Sequence, residues 1–322
     1  MMSSIEEIDQ MRKKCIGCKK CITTCPSFKH GGCNPFNLVN GIDTNVQYCI
    51  GCGNCSVVCK QLDPAKLIQR LIFIIKDKKL PDYVSETGYI LPKNTMVCPE
   101  PQWIGDDVSI MPGCIVACKA PFIEYAASIA LKKMGIKAQR IPKSVCCTHP
   151  VVFRSYSDEE CRNIIDEMSD SAENSDVVTL CGGCSYEFTK TGHDAQHIIH
   201  FFYTNMDRLP LTKNPLKVAL EPGCAAMPLL DEMITIIKHM GFEYVENEAG
   251  CCGKSIEMAP EMMKERIFAS KDADAIIVGC PMCFLKYDSA TEGKPVMHIS
   301  ELVSFAFGDD ESLKYHNIRL NH

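Results

Sequence analysis

The sequence predicts an α+β multidomain protein, in which a helical, cysteine-rich N-terminal domain is followed by two pseudo-symmetric α/β domains. One cysteine pattern occurs twice in the first sixty residues, and a different pattern occurs twice in the remainder of the chain. In that remainder, short apolar runs alternate with longer runs of helical periodicity, as in strand-helix-strand units. The expected boundaries are 1–76 for the N-terminal domain, 77–107 for a linker, and 108–212 and 213–322 for the α/β domains.

The N-terminal pattern is C-x2-C-x2-C-x3-C, which begins at Cys15 and again at Cys49. This spacing is typical of a bacterial two-cluster ferredoxin, in which three cysteines of each run hold one 4Fe-4S cluster and the fourth ligates the other. Structural zinc is disfavoured, because zinc sites use four ligands from two knuckles rather than two four-cysteine runs. The rule assigns Cys15, Cys18, Cys21 and Cys59 to the first cluster, and Cys49, Cys52, Cys55 and Cys25 to the second.

The rest of the N-terminal third supports this domain without adding ligands. Residues 4–7 have the form of a capping box that opens a short helix, and residues 65–76 predict a helix that closes the domain. Cys33 lies in a turn-rich loop and is interpreted as a packed thiol. The segment after the closing helix is polar and contains four prolines, which is typical of a linker.

The α/β region contains an internal repeat of about 100 residues. Pro112-Gly113-Cys114 matches Pro222-Gly223-Cys224, and His200 is matched with His298. Periodicity predicts strands at 108–111 and 217–220, and helices at 122–134 and 229–240. Ligands of parallel α/β sheets gather beyond the carboxyl ends of the strands. Each half is therefore expected to bring five thiols to one sheet edge: Cys114, Cys146, Cys147, Cys181 and Cys184 in the first, and Cys224, Cys251, Cys252, Cys280 and Cys283 in the second.

Five thiols are one more than a cubane cluster or a zinc ion needs. One cysteine of the vicinal pair could bridge two irons of an opened, noncubane cluster. The alternative is a vicinal disulfide, or a thiol pair beside a four-ligand cluster. Cys33, Cys98, Cys118 and Cys161 have no assigned role.

Composition excludes several classes of function. The net charge of −6, with scattered basic residues, argues against nucleic-acid binding. The longest strongly apolar run, 71–75, is far too short to predict a transmembrane segment. The first fourteen residues have no apolar stretch of signal-peptide length, so a cytoplasmic location is expected. Clustered cysteines in such a reducing compartment are more often metal ligands than disulfides.

The α/β region resembles the B-type catalytic subunit of heterodisulfide reductase, a member of the cysteine-rich CCG-domain family, over about residues 108–308. The similar stretches are Cys146-Cys147-Thr148-His149-Pro150 and its continuation, and Cys280-Pro281-Met282-Cys283 followed by Pro295-Val296-Met297-His298. The N-terminal domain resembles the C-type subunit, so the chain resembles a fused C and B pair. The loop after Cys252 departs from the family pattern.

The resemblance implies two noncubane 4Fe-4S clusters in addition to two cubanes, and cleavage of the coenzyme M–coenzyme B disulfide between the noncubane clusters. It also implies methanogenesis as the setting and an electron-donating subunit of flavoprotein, hydrogenase or formate dehydrogenase type. His149 and Lys254 are candidate catalytic side chains beside the vicinal pairs, although a solvated loop residue is the alternative for each. The alternative functions are a non-catalytic electron-transfer subunit, as in thiol:fumarate reductases, and an iron-sulfur scaffold.

Overall fold

The computed structural model describes most of the chain, in nine ranges. These are residues 4–75, 80–92, 96–150, 153, 156–173, 175–213, 215–247, 250–253 and 259–317. The described part is of α/β type, with two parallel four-stranded sheets that follow a helical N-terminal region.

The N-terminal region consists of short helices connected by the loops that carry its cysteines. Pro26 and Pro35 each stand at the first helical position, where a missing N–H costs nothing. The closing helix predicted over 65–76 is confirmed with a shift of one residue. The helices are α1 (Ser4–Arg12), α2 (Lys20–Thr23), α3 (Pro26–Lys29), α4 (Pro35–Val39), α5 (Asn54–Val58) and α6 (Pro64–Ile75).

The segment expected to be a linker is folded against the first α/β sheet. It contains helix α7 (Tyr83–Thr87), which ends at Gly88 with a left-handed backbone conformation. The Cys146 backbone N–H donates to the Gly88 carbonyl at 2.8 Å. The buried Val84 side chain packs with Cys114, Cys146 and Phe153. This segment therefore supports the first vicinal cysteine pair.

The first sheet has the order β2-β1-β3-β4, and all of its neighbouring strands are parallel. The strand predicted at 108–111 is confirmed, and the helix predicted at 122–134 is found from Pro121 to Lys133. Its elements are β1 (Val108–Met111), α8 (Gly113–Lys119), α9 (Pro121–Lys133), β2 (Ala138–Arg140), α10 (Asp158–Ser171), β3 (Asp176–Thr179), α11 (Gly182–Thr191), β4 (Ala195–His197) and α12 (Ile198–Thr204).

The second sheet has the order β6-β5-β7-β8, again with parallel neighbours. The strand predicted at 217–220 extends one residue further, and the predicted helix at 229–240 loses one residue at each end. A 3₁₀ segment, Cys224–Leu229, precedes that helix. The elements are β5 (Lys217–Glu221), α13 (Leu230–His239), β6 (Glu243–Tyr244), α14 (Ala259–Ala269), β7 (Ala275–Val278), α15 (Pro281–Ala290), β8 (Val296–His298) and α16 (Ile299–Ala306).

One apolar core joins the two sheets. The Phe122 ring of α9 meets the Phe284 ring of α15 edge-on, with 5.5 Å between centroids. The His316 ring packs against both and bonds the buried Glu301 at 2.8 Å. Within the described ranges no single helix is long and apolar enough to span a bilayer; α8 and α9 reach that length and composition only together, across a 109° bend. The shared core fixes the two sheets relative to each other.

Candidate functional site

The first N-terminal cysteine group surrounds a small cavity. Cys15, Cys18, Cys21 and Cys59 all line this space of about 160 Å³. Cys21 lies on α2, and Cys59 directly follows α5. Burial and then the neighbouring thiols raise the pKa of Cys21 to about 11. Such a group binds a proton tightly when empty, and a metal centre would replace that proton.

The second N-terminal group lies deeper and includes a cysteine that the spacing did not indicate. Cys25 and Cys55 are buried, and Cys33 is only 1% exposed. A hydrogen bond with Cys33 and burial raise the pKa of Cys25, and Cys33 also bonds Cys49. Cys33 is therefore buried, as a packed thiol would be, but its partners are two of the expected cluster ligands.

In the first α/β half, the vicinal pair divides between two other thiols. The Cys146 thiol donates to the Cys114 sulfur at 3.7 Å. Hydrogen bonds with Cys146 and Cys184 hold the pKa of the buried Cys147 well below its usual range. Gly113 makes this approach feasible, since an added Cβ would stand 2.9 Å from the Cys184 sulfur. The pair thus connects the lone cysteine to the C-x2-C motif.

The second half repeats this arrangement with its own residues. The Cys283 thiol donates to the Cys252 sulfur at 3.5 Å, and a hydrogen bond with Cys224 raises the pKa of Cys251. Gly223 has a φ of +89°, and an added Cβ would lie 2.7 Å from the Cys280 Cβ. None of the 22 cysteines, each of which the structure describes, forms a disulfide. The vicinal pairs are therefore not disulfides in this structure.

Both halves open onto one cavity of about 450 Å³. Cys181 of the first half and Cys280 of the second are within hydrogen-bonding contact, so the two thiol sets meet. Among the described residues, no three histidine, cysteine or carboxylate side chains converge closely enough to hold a single metal ion. The cysteines that line the cavity are Cys49, Cys52, Cys114, Cys147, Cys181, Cys184, Cys224, Cys251, Cys252, Cys280 and Cys283.

The N-terminal domain is held against the cavity by ion pairs and a small apolar contact. Lys190 of α11 bonds Asp63 at 3.0 Å, and Asp158 of α10 pairs with Lys66 and Arg70. Ile50 packs on Met262, with Cys52 and Cys251 alongside. Burial, followed by the charge of Cys224, raises the pKa of Cys52 to about 12. The second N-terminal thiol group therefore lies next to the thiols of the second half.

His149 lies on the wall of the cavity and has a defined orientation. Its Nδ1 bonds a carboxylate oxygen of Glu187 at 2.9 Å, and its ring meets Tyr186 edge-on. Because Nδ1 is used in this hydrogen bond, Nε2 is the ring nitrogen that can bond a molecule in the cavity. Lys254, the other expected catalytic side chain, lies outside the described residues.

Two buried histidines stand at matching strand ends, and the sequence analysis singled out only one of them, His298. His197 and His298 end strands β4 and β8, so His197 is the structural counterpart of His298, and the match with His200 is wrong by three residues. Each Nδ1 accepts from the backbone N–H two residues on, at 3.2 and 3.3 Å. Each Nε2 is buried without a hydrogen-bond partner among the described residues. Burial lowers the pKa of His197 to about 3 and also lowers that of His298. Two neutral rings therefore lie near each other between the halves, and the Gly279 backbone is close to both.

Glu221 is a further buried group that the spacing of cysteines could not reveal. It is 1% exposed and accepts hydrogen bonds from the Gly250 N–H at 3.0 Å and the Asn247 amide at 3.3 Å. Burial raises its pKa to about 7. Met111 occupies the equivalent position before Pro-Gly-Cys in the first half. A carboxyl with a pKa of about 7 therefore lies near the second vicinal pair, at a position where the first half has Met111.

Comparison with known proteins agrees with this architecture. Residues 7–60 match the 4Fe-4S dicluster domain, and residues 108–189 and 218–287 match the cysteine-rich domain called CCG. The chain is thus an iron-sulfur protein that joins a dicluster domain to cysteine-rich domains, and domains of this kind hold 4Fe-4S clusters for electron transport. The cysteine motifs described above fall within the matched ranges, whereas strands β4 and β8 lie beyond them.

Sequence relatives show which iron-sulfur proteins this chain is similar to. The chain is 26% identical to the B subunit of the ferredoxin:CoB-CoM heterodisulfide reductase of Methanosarcina mazei, over 62% of this chain and 89% of the relative. It is equally similar to the B subunit of a ferredoxin/F420H2-dependent CoB-CoM heterodisulfide reductase from Methanosarcina acetivorans. It is 22% identical to the B subunit of the fumarate reductase (CoM/CoB) of Methanothermobacter marburgensis, over 92% of this chain and 72% of the relative. The resemblance to heterodisulfide reductase is confirmed.

A solved structure supports the fold alone. A hypothetical protein from Helicobacter pylori superposes with a TM-score of 0.59 over 100% of this chain and 76% of its own, at 10% identity. The relatives in redox enzymes are named as subunits, so redox partners are implied for this chain.

Proposed function

We propose that the chain is a heterodisulfide reductase-like oxidoreductase that reduces the CoM-S-S-CoB disulfide, or a related disulfide, in the 450 Å³ cavity. The observation that carries the proposal is the convergence of nine of the ten thiols of the two sets on one cavity, with Cys181 beside Cys280. The tenth thiol, Cys146, bonds Cys114. The volume is in the range of small-molecule sites. The two sulfur atoms of one substrate disulfide could therefore each lie next to a different thiol set.

The metal content follows from the thiol groups. Cys15, Cys18, Cys21 and Cys59 would hold one cubane around the 160 Å³ cavity, and Cys25, Cys49, Cys52 and Cys55 the other. The five-thiol sets would each hold a noncubane 4Fe-4S cluster. In each set the two cysteines of the vicinal pair contact different thiols. This arrangement supports the proposal, because it gives the cluster a fifth thiol beyond the four that a cubane needs. When bound, the clusters would supply single electrons and iron sites that accept sulfur.

The protein side chains would position and protonate the products. His149, oriented by Glu187, would donate a hydrogen bond from Nε2 to a sulfur in the cavity. Lys254, next in sequence to Gly253 after the second vicinal pair, would supply a positive charge to an anionic group of the substrate. Reduction of the disulfide consumes two electrons and two protons and releases two thiols.

The same proposal covers the domain boundaries. We place the ferredoxin-like domain at 1–76, a packed connector at 77–107, and the cysteine-rich domains at 108–212 and 213–322. The equal strand order of the two sheets and the paired histidines at their strand ends support pseudo-symmetry between the halves.

Electrons would arrive from a donor subunit of flavoprotein, hydrogenase or formate dehydrogenase type. The proximity of Cys52 to Cys224 supports a route from the second cubane to the second half. Relatives named as subunits of ferredoxin-dependent and fumarate-reducing enzymes support the need for a partner.

The test is an anaerobic assay with the purified full-length protein. Four clusters predict about sixteen irons per chain. With reduced methyl viologen as donor, CoM-S-S-CoB should be cleaved to two thiols. Cys147→Ser should lose about four irons and turnover, whereas the matched control Cys98→Ser, outside all thiol groups, should keep both. No turnover in a protein with all irons present and reduced would overturn the proposal.

A non-catalytic electron-transfer role is the second candidate. It is favoured by the relative that matches 92% of the chain, the B subunit of the fumarate reductase. On that view the fully loaded protein would pass electrons to an added partner and leave the disulfide intact. The same assay therefore separates the two candidates.

A further inference from the structure

The charge of this protein is distributed unequally. Residues 10–62 contain seven basic residues and one acidic residue, Asp43, for a net charge of +6. The whole chain carries −6, so the remaining residues together carry −12. The basic residues are Arg12, Lys13, Lys14, Lys19, Lys20, Lys29 and Lys60. The N-terminal cysteine domain therefore carries a net positive charge, whereas the rest of the chain is net negative.

The lysines of this set face water and have no acidic partner. All six are exposed, and none makes an ion pair within the described part of the chain. By contrast, Lys66, Arg70 and Lys190, at the contact with the α/β region, are all paired with carboxylates. The paired cations thus stabilise the contact between the N-terminal domain and the α/β region, whereas the six exposed lysines make no ion pair among the described residues.

Three lysines of this unpaired set surround the outer thiol group. Lys19, Lys20 and Lys60 line the 160 Å³ cavity together with its four cysteines. Cys18 is itself exposed, and Ile16 on the same cavity wall is 69% exposed. An apolar contact within a charged rim is a common composition of a protein interface. A redox centre held by these cysteines would lie directly beneath the surface.

We propose that this lysine-rimmed face is the docking surface for an acidic one-electron carrier protein. The inference rests on the proposed function, which requires electrons to reach the N-terminal domain. Complementary charge raises the rate of encounter without needing a large, permanent interface. Two encounters, each delivering one electron, supply the two electrons that convert one disulfide and two protons into two thiols. The carrier is oxidised by one electron in each encounter.

The experiment follows the reduction of the full-length holoprotein by stopped-flow absorbance under anaerobic conditions. The probe is a small reduced ferredoxin with a strongly negative net charge. The triple variant Lys19→Gln, Lys20→Gln, Lys60→Gln is compared with Lys133→Gln, Lys143→Gln, Lys213→Gln, which removes three exposed lysines elsewhere. The bimolecular rate constant of the first variant should fall about 10-fold or more at low salt. Added NaCl should slow the wild type and the control, and should slow that variant clearly less.

Three results would overturn the proposal. The first is an unchanged rate constant and salt dependence in the Lys19, Lys20, Lys60 variant. The second is a changed cluster potential with an unchanged salt dependence, which would mean that the lysines only balance cluster charge. The third is salt-sensitive binding to anionic lipid vesicles without any effect on the ferredoxin reaction. Disulfide cleavage with methyl viologen, measured on the same samples, reports separately on the proposed function.

Discussion

Replacing Glu221 by glutamine should change how the stability of the protein depends on pH. Burial raises the pKa of Glu221 from 4.5 to about 7. Between these values the folded protein keeps a proton that the unfolded chain releases, so the free energy of unfolding falls as the pH rises. A shift of about 2.5 units corresponds to a loss of about 3 kcal/mol, complete above pH 7. The positive charge of Arg266 acts to lower the pKa of Glu221, and the value of about 7 already includes this effect.

Glutamine cannot ionise, but it keeps only part of the hydrogen bonding. Glu221 accepts from Gly250 and Asn247 through different oxygens, and the amide nitrogen of glutamine cannot accept. One lost hydrogen bond costs about 1 kcal/mol. Glu221→Gln should therefore be less stable than the wild type by about 1 kcal/mol well below pH 4.5, close to it at pH 5, and more stable by about 2 kcal/mol at pH 8.

The measurement is the thermal unfolding midpoint of the anaerobic holoprotein at pH 5, 6, 7 and 8. The wild-type midpoint should fall by several degrees across this range relative to the variant, and the two curves should cross. The control is Glu246→Gln, which removes an exposed carboxylate from the neighbouring segment and should follow the wild type. A variant that is destabilised equally at every pH would refute the reasoning, because it would show that Glu221 is ionised throughout.

Three further predictions test other parts of the structure. Gly223→Ala should prevent the second half from holding its cluster and should lower the iron content by about four. The control Gly293→Ala, also at positive φ but with no neighbouring atom within 4 Å of the added Cβ, should keep the iron and lose about 1 kcal/mol of stability. Asp63→Asn should lower the unfolding midpoint at pH 7. Burial acts to raise the pKa of Asp63, but Lys190 and local hydrogen bonds outweigh burial and lower this pKa. The stability advantage of the wild type should therefore disappear as the pH falls below about 4. Cys33→Ala should lower the reduction potential of one cubane in an EPR titration, because it removes a hydrogen bond to ligand sulfurs, and Cys33→Ser should restore part of it.

The fold could be predicted where the pattern was long or strongly apolar. Strands β1 and β5 are central in their sheets and consist largely of apolar residues, so the sequence indicated them. The edge strand β6 has two residues and leaves no periodic signal. Helix α7, with five residues between prolines, was missed for the same reason. Its packing on the first vicinal pair depends on contacts that local sequence does not encode.

The site could be predicted where its residues recur at fixed spacing. The cysteine motifs follow strand ends, and parallel strands bring those ends to one edge. Cys33 stands alone in sequence, so its contact with Cys25 and Cys49 depends on the fold of a loop. The histidine pair was misassigned because His200 was matched by proximity to the next apolar run; the strand end identifies His197 instead. In both positions an isoleucine follows the histidine, which is the signal that could have found it.

The two halves share a strand order but differ in the groups around their thiols, and this difference has a chemical consequence. His149, which is bonded to Glu187, faces the cavity from the first half, whereas Glu221 bonds the Gly250 N–H beside the vicinal pair of the second. Cys52 of the N-terminal domain adjoins Cys224, also in the second half. If electrons arrive there, negative charge accumulates first beside Glu221, a buried carboxyl with a pKa of about 7. Added negative charge raises a carboxyl pKa further, so electron arrival and proton retention reinforce each other in the second half.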